Sequence, residues 1–366
     1  MQNTRMWRHF DVWLLAAVAI LTVAGVAMIR SAIGGNENLA EFVPRQAIYG
    51  LIGLVVLFLT AAIDYRIWSA LARPMYIFVI ASLGLILAAG VVGFGSARWF
   101  NVGIATIQPS ELSKILMILV LSNYLARNEH NLHQSKYLVR SLILMGFPAL
   151  LVFLQPDLST AIVLGVIWLA LVWAAGAQPK HLVLIAAIGL LLPLIAWPLL
   201  EDYQKARVIT FLFPDPDAQY GATYNVNQAL IAIGSGGLLG QGYNSGTQVQ
   251  LRFLKVRHTD FIFSSMAQEF GFIGALILIA GLSFIILRCL RAAHMARDNF
   301  GSLICYGIAI LLAFQGFFNI AMNLKLLPVS GLPLPFFSYG GSSLLTSLLA
   351  IGLVESIMLR HKQIEL

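Results

Sequence analysis

Apolar residues in this chain gather into continuous runs of about 17–20 residues, the length of one membrane-crossing helix, rather than into short alternating stretches. Ten such runs stand out: roughly 12–29, 47–63, 75–93, 109–126, 139–155, 157–175, 181–199, 262–287, 302–322 and 341–359. The first follows Arg5 and Arg8, as the core of a signal peptide would, but nine more runs come after it, so it reads as the first helix. The pattern predicts an all-α polytopic membrane protein. It has ten transmembrane helices, with one large extracytoplasmic loop at about 200–260 between the seventh and eighth. Residues 1–366 read as a single integral membrane domain.

Composition narrows the class further. Hydrophobic residues make up 59% of the chain and charged residues 11%, against about 25% charged in a soluble domain. A soluble globule, a disordered chain, a coiled coil, collagen and a secreted disulfide scaffold are all excluded. The formal charge of +7 is read first as a topology signal. With the N-terminus inside, the cytoplasmic segments hold 13 of the 23 Lys and Arg, while the short outer segments and their helix edges hold five: Arg30, Arg45, Arg98, Lys114 and Lys325. Both termini are therefore expected in the cytoplasm. No basic run is interleaved with aromatics, so nucleic acid is not an expected partner. Cys289 and Cys305 match no disulfide framework or zinc spacing.

The segment 200–260 is the part that does not read as membrane. It carries ten of the 39 charged residues, among them Arg207, Arg252, Lys255, Arg257 and Asp260, and a connection this long is usually functional. Tyr224 to Ile233 has the pattern of a short amphipathic helix, broken by the glycine cluster Gly234–Gly242. That cluster matches neither common nucleotide-binding glycine motif. It reads as a tightly turning loop or, alternatively, as a cradle of backbone N–H groups for a lipid phosphate. Trp99, Trp197 and Tyr203 sit where interface anchors belong. The proline-rich stretch Leu327–Phe337 cannot form a regular helix, so near membrane depth it must be buried in protein or line a cavity.

Ionisable residues within spans are costly and are functional candidates by default. Glu111, Asp157 and Asp260 each begin a run at the outer face in this topology, and Phe337–Ser342 precedes the last run on the same side. Gln108-Pro109-Ser110-Glu111 and Gln155-Pro156-Asp157 each place proline just before an acid, as suits the first turn of a helix. Glu111 and Lys114 are three apart and can pair. The bland alternative is that these acids merely cap helix ends. Acids and cations gathered on one membrane face fit an extracytoplasmic reaction on a lipid-linked substrate. They also fit transport along a charged path. The residues by themselves do not choose between the two.

Six motifs in chain order do choose. Arg98-Trp99, Gln108-Pro109-Ser110-Glu111-Leu112-Ser113-Lys114, Gln155-Pro156-Asp157-Leu158-Ser159-Thr160, Ile233-Gly234-Ser235-Gly236-Gly237, His258-Thr259-Asp260-Phe261-Ile262-Phe263 and Pro333–Ser343 resemble the SEDS family (shape, elongation, division, sporulation). Within it, the short N-terminus and the run Leu326–Phe336 are most similar to the RodA branch rather than the FtsW branch. The resemblance implies a peptidoglycan glycosyltransferase of the bacterial cell membrane, polymerising lipid II into glycan strands at the outer leaflet during cell-wall elongation and shape maintenance. The alternatives it leaves are a lipid II flippase and a division-type FtsW paralogue. It implies Asp260 as the catalytic base, and a substrate-binding cavity of Glu111, Lys114, Asp157, Arg98, Gln108, Ser110, Gln155, His258, Thr259, Ser338 and Tyr339. Lys114 and Arg98 would offset the charge of the leaving diphosphate. A divalent cation, magnesium or manganese, near Asp157, Glu111 and Asp260 is a further option, and no organic cofactor is expected. The implied partners are a class B penicillin-binding transpeptidase, other elongation-complex membrane proteins, lipid II and undecaprenyl diphosphate. One position departs from the family pattern: an acid often lies two residues before the histidine, and here that residue is Val256.

Overall fold

The structure, a computed structural model, describes residues 7–34, 36, 39–89, 91–93, 96–101, 106–178, 180, 183, 187, 189, 197–214 and 221–361. Among these, helices cover nine of the ten apolar runs: α1 (Val12–Ile33), α2 (Phe42–Ala62), α3 (Ala72–Ala89), α4 (Pro109–Arg127), α5 (Ser135–Leu154), α6 (Leu158–Ala174), α9 (Ile262–Met295), α10 (Asn299–Asn323) and α11 (Gly341–Leu359). The seventh run, 181–199, lies mostly outside the described residues. The loop 200–260 is itself largely helical, with α7 (Asp202–Leu212) and α8 (Gly221–Gly236). Six helices, α1, α2, α5, α9, α10 and α11, are long and apolar enough to cross a membrane, and α3 and α6 are shorter apolar helices. The chain is a multi-pass membrane protein.

Local chemistry sets several helix starts. Asp11 accepts from the Leu14 N–H to open α1, and Asp298 accepts from the Gly301 N–H to open α10. Pro109 occupies the first turn of α4, where its missing N–H costs nothing. The span expected to run to residue 93 stops at Ala89. The chain then forms a small antiparallel sheet, β1 (Val91–Gly93), β2 (Ser96–Asn101) and β3 (Thr106–Ile107), in the order β1-β2-β3. Val92 faces Ala97 and Phe100 faces Ile107 in register. β-Branched Val91 and Val92 favour the strand over another helical turn.

α4 is the central helix: it packs against α3, α5, α6, α10 and α11. This position explains why α4 can carry Glu111 and Lys114 within an apolar bundle. The peripheral α2 instead exposes Leu51, Val55 and Leu59, as a lipid-facing surface requires.

α9 is interrupted at Gly271, whose φ of 66° and ψ of −163° are not helical. A break at membrane depth frees backbone groups that must find partners within the protein. The loop after α8 supplies them. Gln241 and Gly242 donate their N–H groups to the carbonyls of Gln268 and Glu269 at 3.0 and 2.9 Å, and Phe272 and Ile273 donate to the carbonyls of Gly237 and Leu238 at 2.9 and 3.2 Å. Gly240 takes a φ of +83°, and a Cβ there would lie 2.1 Å from the Glu269 carbonyl oxygen, so a side chain is excluded on both counts.

The bundle has two chemically different ends. At one, called here the loop end, the starts of α2, α4, α6, α9 and α11 meet α7, α8 and the non-helical stretch after α10. At the other, the start of α1 and the loop before α10 meet the ends of α2, α4, α9 and α11.

Candidate functional site

The predicted site residues sit at the loop end, and most are fixed through backbone groups. Glu111 and Lys114 form an ion pair of 2.6 Å on one face of α4, and both are buried. Their spacing of three makes the pair local, so it needs no help from elsewhere in the fold. Asp157 caps α6, accepting from the Thr160 N–H at 3.2 Å and from the Thr160 hydroxyl at 3.0 Å. The side-chain amide of Gln108 approaches its other side at 3.4 Å. Gln108 is tied by its own N–H to the Ser342 hydroxyl, 3.1 Å away at the start of α11. Gln155 is buried and donates to the Leu83 carbonyl on α3 at 3.0 Å. Ser110 is buried, and its carbonyl accepts from Ser113. Arg98 lies on β2, and its side chain falls outside the described residues.

The segment His258–Asp260 is held from two directions. The Ser338 hydroxyl donates to the Thr259 carbonyl at 2.8 Å, and the Tyr339 N–H donates to the His258 carbonyl at 3.0 Å. The Tyr339 ring stacks on Phe42 of α2, with centroids 4.4 Å apart and planes within 7°. His258 leans on the same pair, 5.4 Å from Phe42 and 6.0 Å from Tyr339. Burial pushes the His258 imidazole down to about 4, with help from the Arg257 guanidinium. His258 is therefore a neutral wall at physiological pH rather than a cation.

Asp260 differs from the other acids. α9 begins only at Ile262, its cap residue is Phe261, and no side chain caps it, so the capping reading fails for Asp260 while it holds for Asp157. The Asp260 carbonyl accepts from the side-chain amides of Asn319 and Asn323 on α10, at 3.2 and 2.9 Å. Those two asparagines are buried and were not singled out from the sequence. Their spacing of four on an apolar helix is the signal that could have marked them. The backbone of Asp260 is thus clamped, while among the described residues its carboxylate takes no hydrogen bond and no ion pair. Burial pushes that carboxyl up to about 6, and Arg207 on α7 pulls it the other way.

Arg207 is a third residue that the sequence did not mark as part of the site. Its Nη1 donates to the Ser330 carbonyl at 3.2 Å. The Ser159 hydroxyl, two residues after Asp157, donates to the same carbonyl at 2.6 Å. Tyr203 and Gln204 anchor α7 by donating to the Pro156 carbonyl, so Tyr203 serves as a tether within the protein. Asn319 also donates to the Leu332 carbonyl at 2.8 Å. The stretch 330–332 therefore links the Asp157 side of the site to the Asp260 side. On the Asp157 side lies an open cavity of about 70 Å³ walled by Asp157, Ser159, Tyr203, Arg207, Phe314 and Ser330. The proline-rich stretch thus lines a cavity, as its position near membrane depth requires, and its Leu334, Phe336 and Phe337 are buried.

Two expectations meet limits here. The backbone N–H groups of Gly237, Gly240, Gln241 and Gly242 are spent on carbonyls of α8 and α9, so the glycine cluster seals the α9 break and does not cradle a phosphate. The carboxylates of Glu111 and Asp157 are engaged by Lys114 and by the α6 cap. Among the described residues no three His, Cys, Asp or Glu come together as a metal-holding set. The donors thus do not fit a cation held by Glu111, Asp157 and Asp260, and no step is routed through one. Nor, among the described residues, does any direct contact join Glu111 or Lys114 to Asp260.

Membrane-length helices around a cavity at one end, walled by apolar groups and by Asp157 and Arg207, define a polytopic membrane protein whose candidate site lies between helix starts and the extended loop. Residues 6–363 match the family described as cell cycle protein, which groups FtsW, RodA and SpoVE. The chain belongs to that family. It is 37% identical over 357 residues to the peptidoglycan glycosyltransferase MrdB of Escherichia coli, covering 97% of this chain and 95% of that one. It is 33% identical over 370 residues to a probable peptidoglycan glycosyltransferase FtsW of Geobacter sulfurreducens, covering 98% of each. Among solved structures it is similar to the rod shape determining protein RodA of Thermus thermophilus, with a TM-score of 0.73 and 29% identity over 97% of this chain and 98% of that one. It is also similar to a chain of a structure described as structural coordination of polymerization and crosslinking by a peptidoglycan synthase complex. There the TM-score is 0.81 and the identity 29%, over 97% of this chain and 99% of that one.

Proposed function

We propose that this protein is a peptidoglycan glycosyltransferase of the elongation type, extending glycan strands from lipid II. The observation that carries the chemistry is the state of Asp260. Its main chain is clamped by Asn319 and Asn323, its carboxylate is unpartnered among the described residues, and burial holds it near 6. A carboxylate with that pKa is ionised at neutral pH and still basic enough to accept a proton from a hydroxyl. In this reading Asp260 takes the proton from the 4-hydroxyl of the acceptor GlcNAc. That oxygen forms a bond to the anomeric carbon of the donor MurNAc. The bond from that carbon to the diphosphate oxygen breaks with inversion, and undecaprenyl diphosphate leaves with the electron pair.

The remaining parts of the reading follow from the sequence and from similarity. The ten apolar runs and the Lys/Arg asymmetry of the sequence support cytoplasmic termini and a loop end at the outer leaflet, where lipid-linked sugars are polymerised. A cysteine introduced at Gly246 should then react with an impermeant thiol reagent in intact cells, and one at His130 should not. Likeness to a chain of a peptidoglycan synthase complex supports a class B penicillin-binding transpeptidase as partner, with other elongation-complex membrane proteins around it. Gln108, Ser338 and Tyr339 hold the chain around Asp157 and Thr259, Gln155 ties the start of α6 to α3, and Glu111 and Lys114 pair on α4.

The deciding experiment is polymerisation of purified lipid II by the protein with its partner in detergent, where no membrane sides exist. Glycan strands are the expected product. No polymer from the wild-type complex, together with lipid translocation in liposomes, would replace the enzyme with a flippase.

A further inference from the structure

The glycosyltransferase reading requires cations to receive the charge of the leaving diphosphate, and the two expected from the sequence are poorly suited. Lys114 already has a carboxylate 2.6 Å away, and nothing is described of the Arg98 side chain. Two other cations at the loop end have no carboxylate within ion-pair distance among the described residues. Arg207 donates to the Ser330 carbonyl and lies over the Tyr203 ring, 5.6 Å from its centroid. Lys325 donates to the side-chain oxygen of Asn227 on α8 at 3.3 Å. Both line one shallow cleft open to the surface, whose other walls include Phe211, Pro214, Leu327 and Val329. Arg207 is shared with the larger cavity beside Asp157 and lies within electrostatic reach of Asp260.

The backbone at Lys325 is a separate observation. It follows the end of α10 with a φ of +59°. The Lys325 N–H returns to the Met322 carbonyl at 3.2 Å and the Leu326 N–H to the Ala321 carbonyl at 2.9 Å. This is the left-handed helix closure at which glycine is the usual residue, and a lysine there is uncommon. A long cationic side chain held at a glycine-type position, beside an unpaired arginine, is better explained by a ligand than by the helix end itself.

We propose that Arg207 and Lys325 together bind the diphosphate of a polyprenyl diphosphate, with Phe211, Pro214, Leu327 and Val329 receiving its first isoprene units. The proposal rests on the glycosyltransferase reading and adds to it the place where the leaving group is held. Two cations match the two phosphates, and charge-assisted bonds to phosphate oxygens are stronger than neutral ones. The apolar walls select the lipid ester over free diphosphate.

The test is binding of farnesyl diphosphate to the purified full-length chain in detergent, with farnesol and inorganic pyrophosphate as comparison probes. Arg207→Gln and Lys325→Gln are each expected to weaken farnesyl diphosphate about tenfold, as the loss of one charge-assisted contact implies. Lys325→Gly is the informative control. It suits the left-handed backbone, so thermal stability should be kept or raised while affinity still falls about tenfold. Farnesol and pyrophosphate should each bind more weakly than the complete probe. Full affinity in folded Arg207→Gln and Lys325→Gly proteins would overturn the proposal. Pyrophosphate binding as tightly as farnesyl diphosphate would overturn its lipid part. Failure of the underlying reading looks different: farnesyl diphosphate binding would still depend on both cations, while the wild-type complex made no glycan from lipid II.

Discussion

The two ends of the bundle use polar residues in opposite ways. At the end away from the loops, charges are matched across helices. Arg288 on α9 pairs with Asp11, whose own N–H donates to Glu355 on α11 at 3.0 Å. Tyr65 donates to Asp298 at 2.7 Å, and Arg66 approaches the same carboxylate at 3.4 Å. Arg360 reaches the carbonyls of Ala61 and Ala62 at the end of α2. These contacts join helix ends to one another and occupy Asp11, Arg288, Asp298 and Arg360, while Glu355 takes the Asp11 N–H on one oxygen only. At the loop end, uncharged amides and hydroxyls hold backbone carbonyls: Asn319 and Asn323 on Asp260, Ser338 on Thr259, Gln155 on Leu83. There Asp260, Arg207 and Lys325 form no ion pair among the described residues, and the two cations reach only uncharged oxygens, of Ser330 and Asn227. Charged groups that are paired stabilise an arrangement, and charged groups that are positioned but unpaired remain available for a substrate.

The largest effect that would break this comparison is at Asp260. Asp260→Asn keeps the shape and the carbonyl clamp and removes the base, so polymerisation by the complex should fall about 10²–10⁴-fold with thermal stability unchanged. A fall in stability matching the fall in activity would make Asp260 one more structural polar group.

At the loop end Arg257 and Glu269 are also engaged, by carbonyls of Ala32 and Leu254 and by Ser31 and Asn244, but Glu111 and Lys114 form a buried ion pair there, in the manner of the opposite end. Lys114→Met would leave the Glu111 carboxylate unpaired in the bundle centre and should destabilise the protein by about 3–5 kcal/mol. Adding Glu111→Gln should restore most of that loss. Stability recovered without activity would assign the pair a substrate role beyond bracing α4.

Arg288→Met tests the far end directly. It leaves Asp11 beside Glu355 without their cation and should cost roughly 3 kcal/mol in denaturation. The protein that remains folded should keep its specific activity. Lost activity at full stability would mean that the far end is coupled to the chemistry.

The smallest effect is a shift of pH profile. With the carboxyl near 6, activity should be full above that value and fall as the pH drops through it, because only the ionised form accepts a proton. Arg207 lowers this pKa, so Arg207→Gln should move the acid limb of the kcat profile to higher pH, whatever it does to the height. An unmoved limb would separate Arg207 from Asp260.

Much of this was legible along the chain because it is local. Nine apolar runs became helices among the described residues, since span length and composition decide that without reference to neighbours. The Glu111–Lys114 pair follows from a spacing of three, and the Asp157 cap from its place before α6. Asp260 was marked as a candidate by its position ahead of a span. Its freedom from capping was not, because the residue that precedes α9 depends on how far Phe261 is drawn into the interior.

The partners of that acid were decided by tertiary structure alone. Asn319 and Asn323 lie 59 and 63 residues from the carbonyl they hold, and Arg207 reaches the site only because Tyr203 and Gln204 tether α7 to Pro156. The glycine cluster read as a tight turn, with a phosphate cradle as the alternative, until the broken α9 claimed its N–H groups. Hydrophobic run length fixed the number and character of the elements. Which polar groups were spent on backbone carbonyls, and which were left for a ligand, was settled by packing between segments far apart in sequence, where no periodic pattern records a contact.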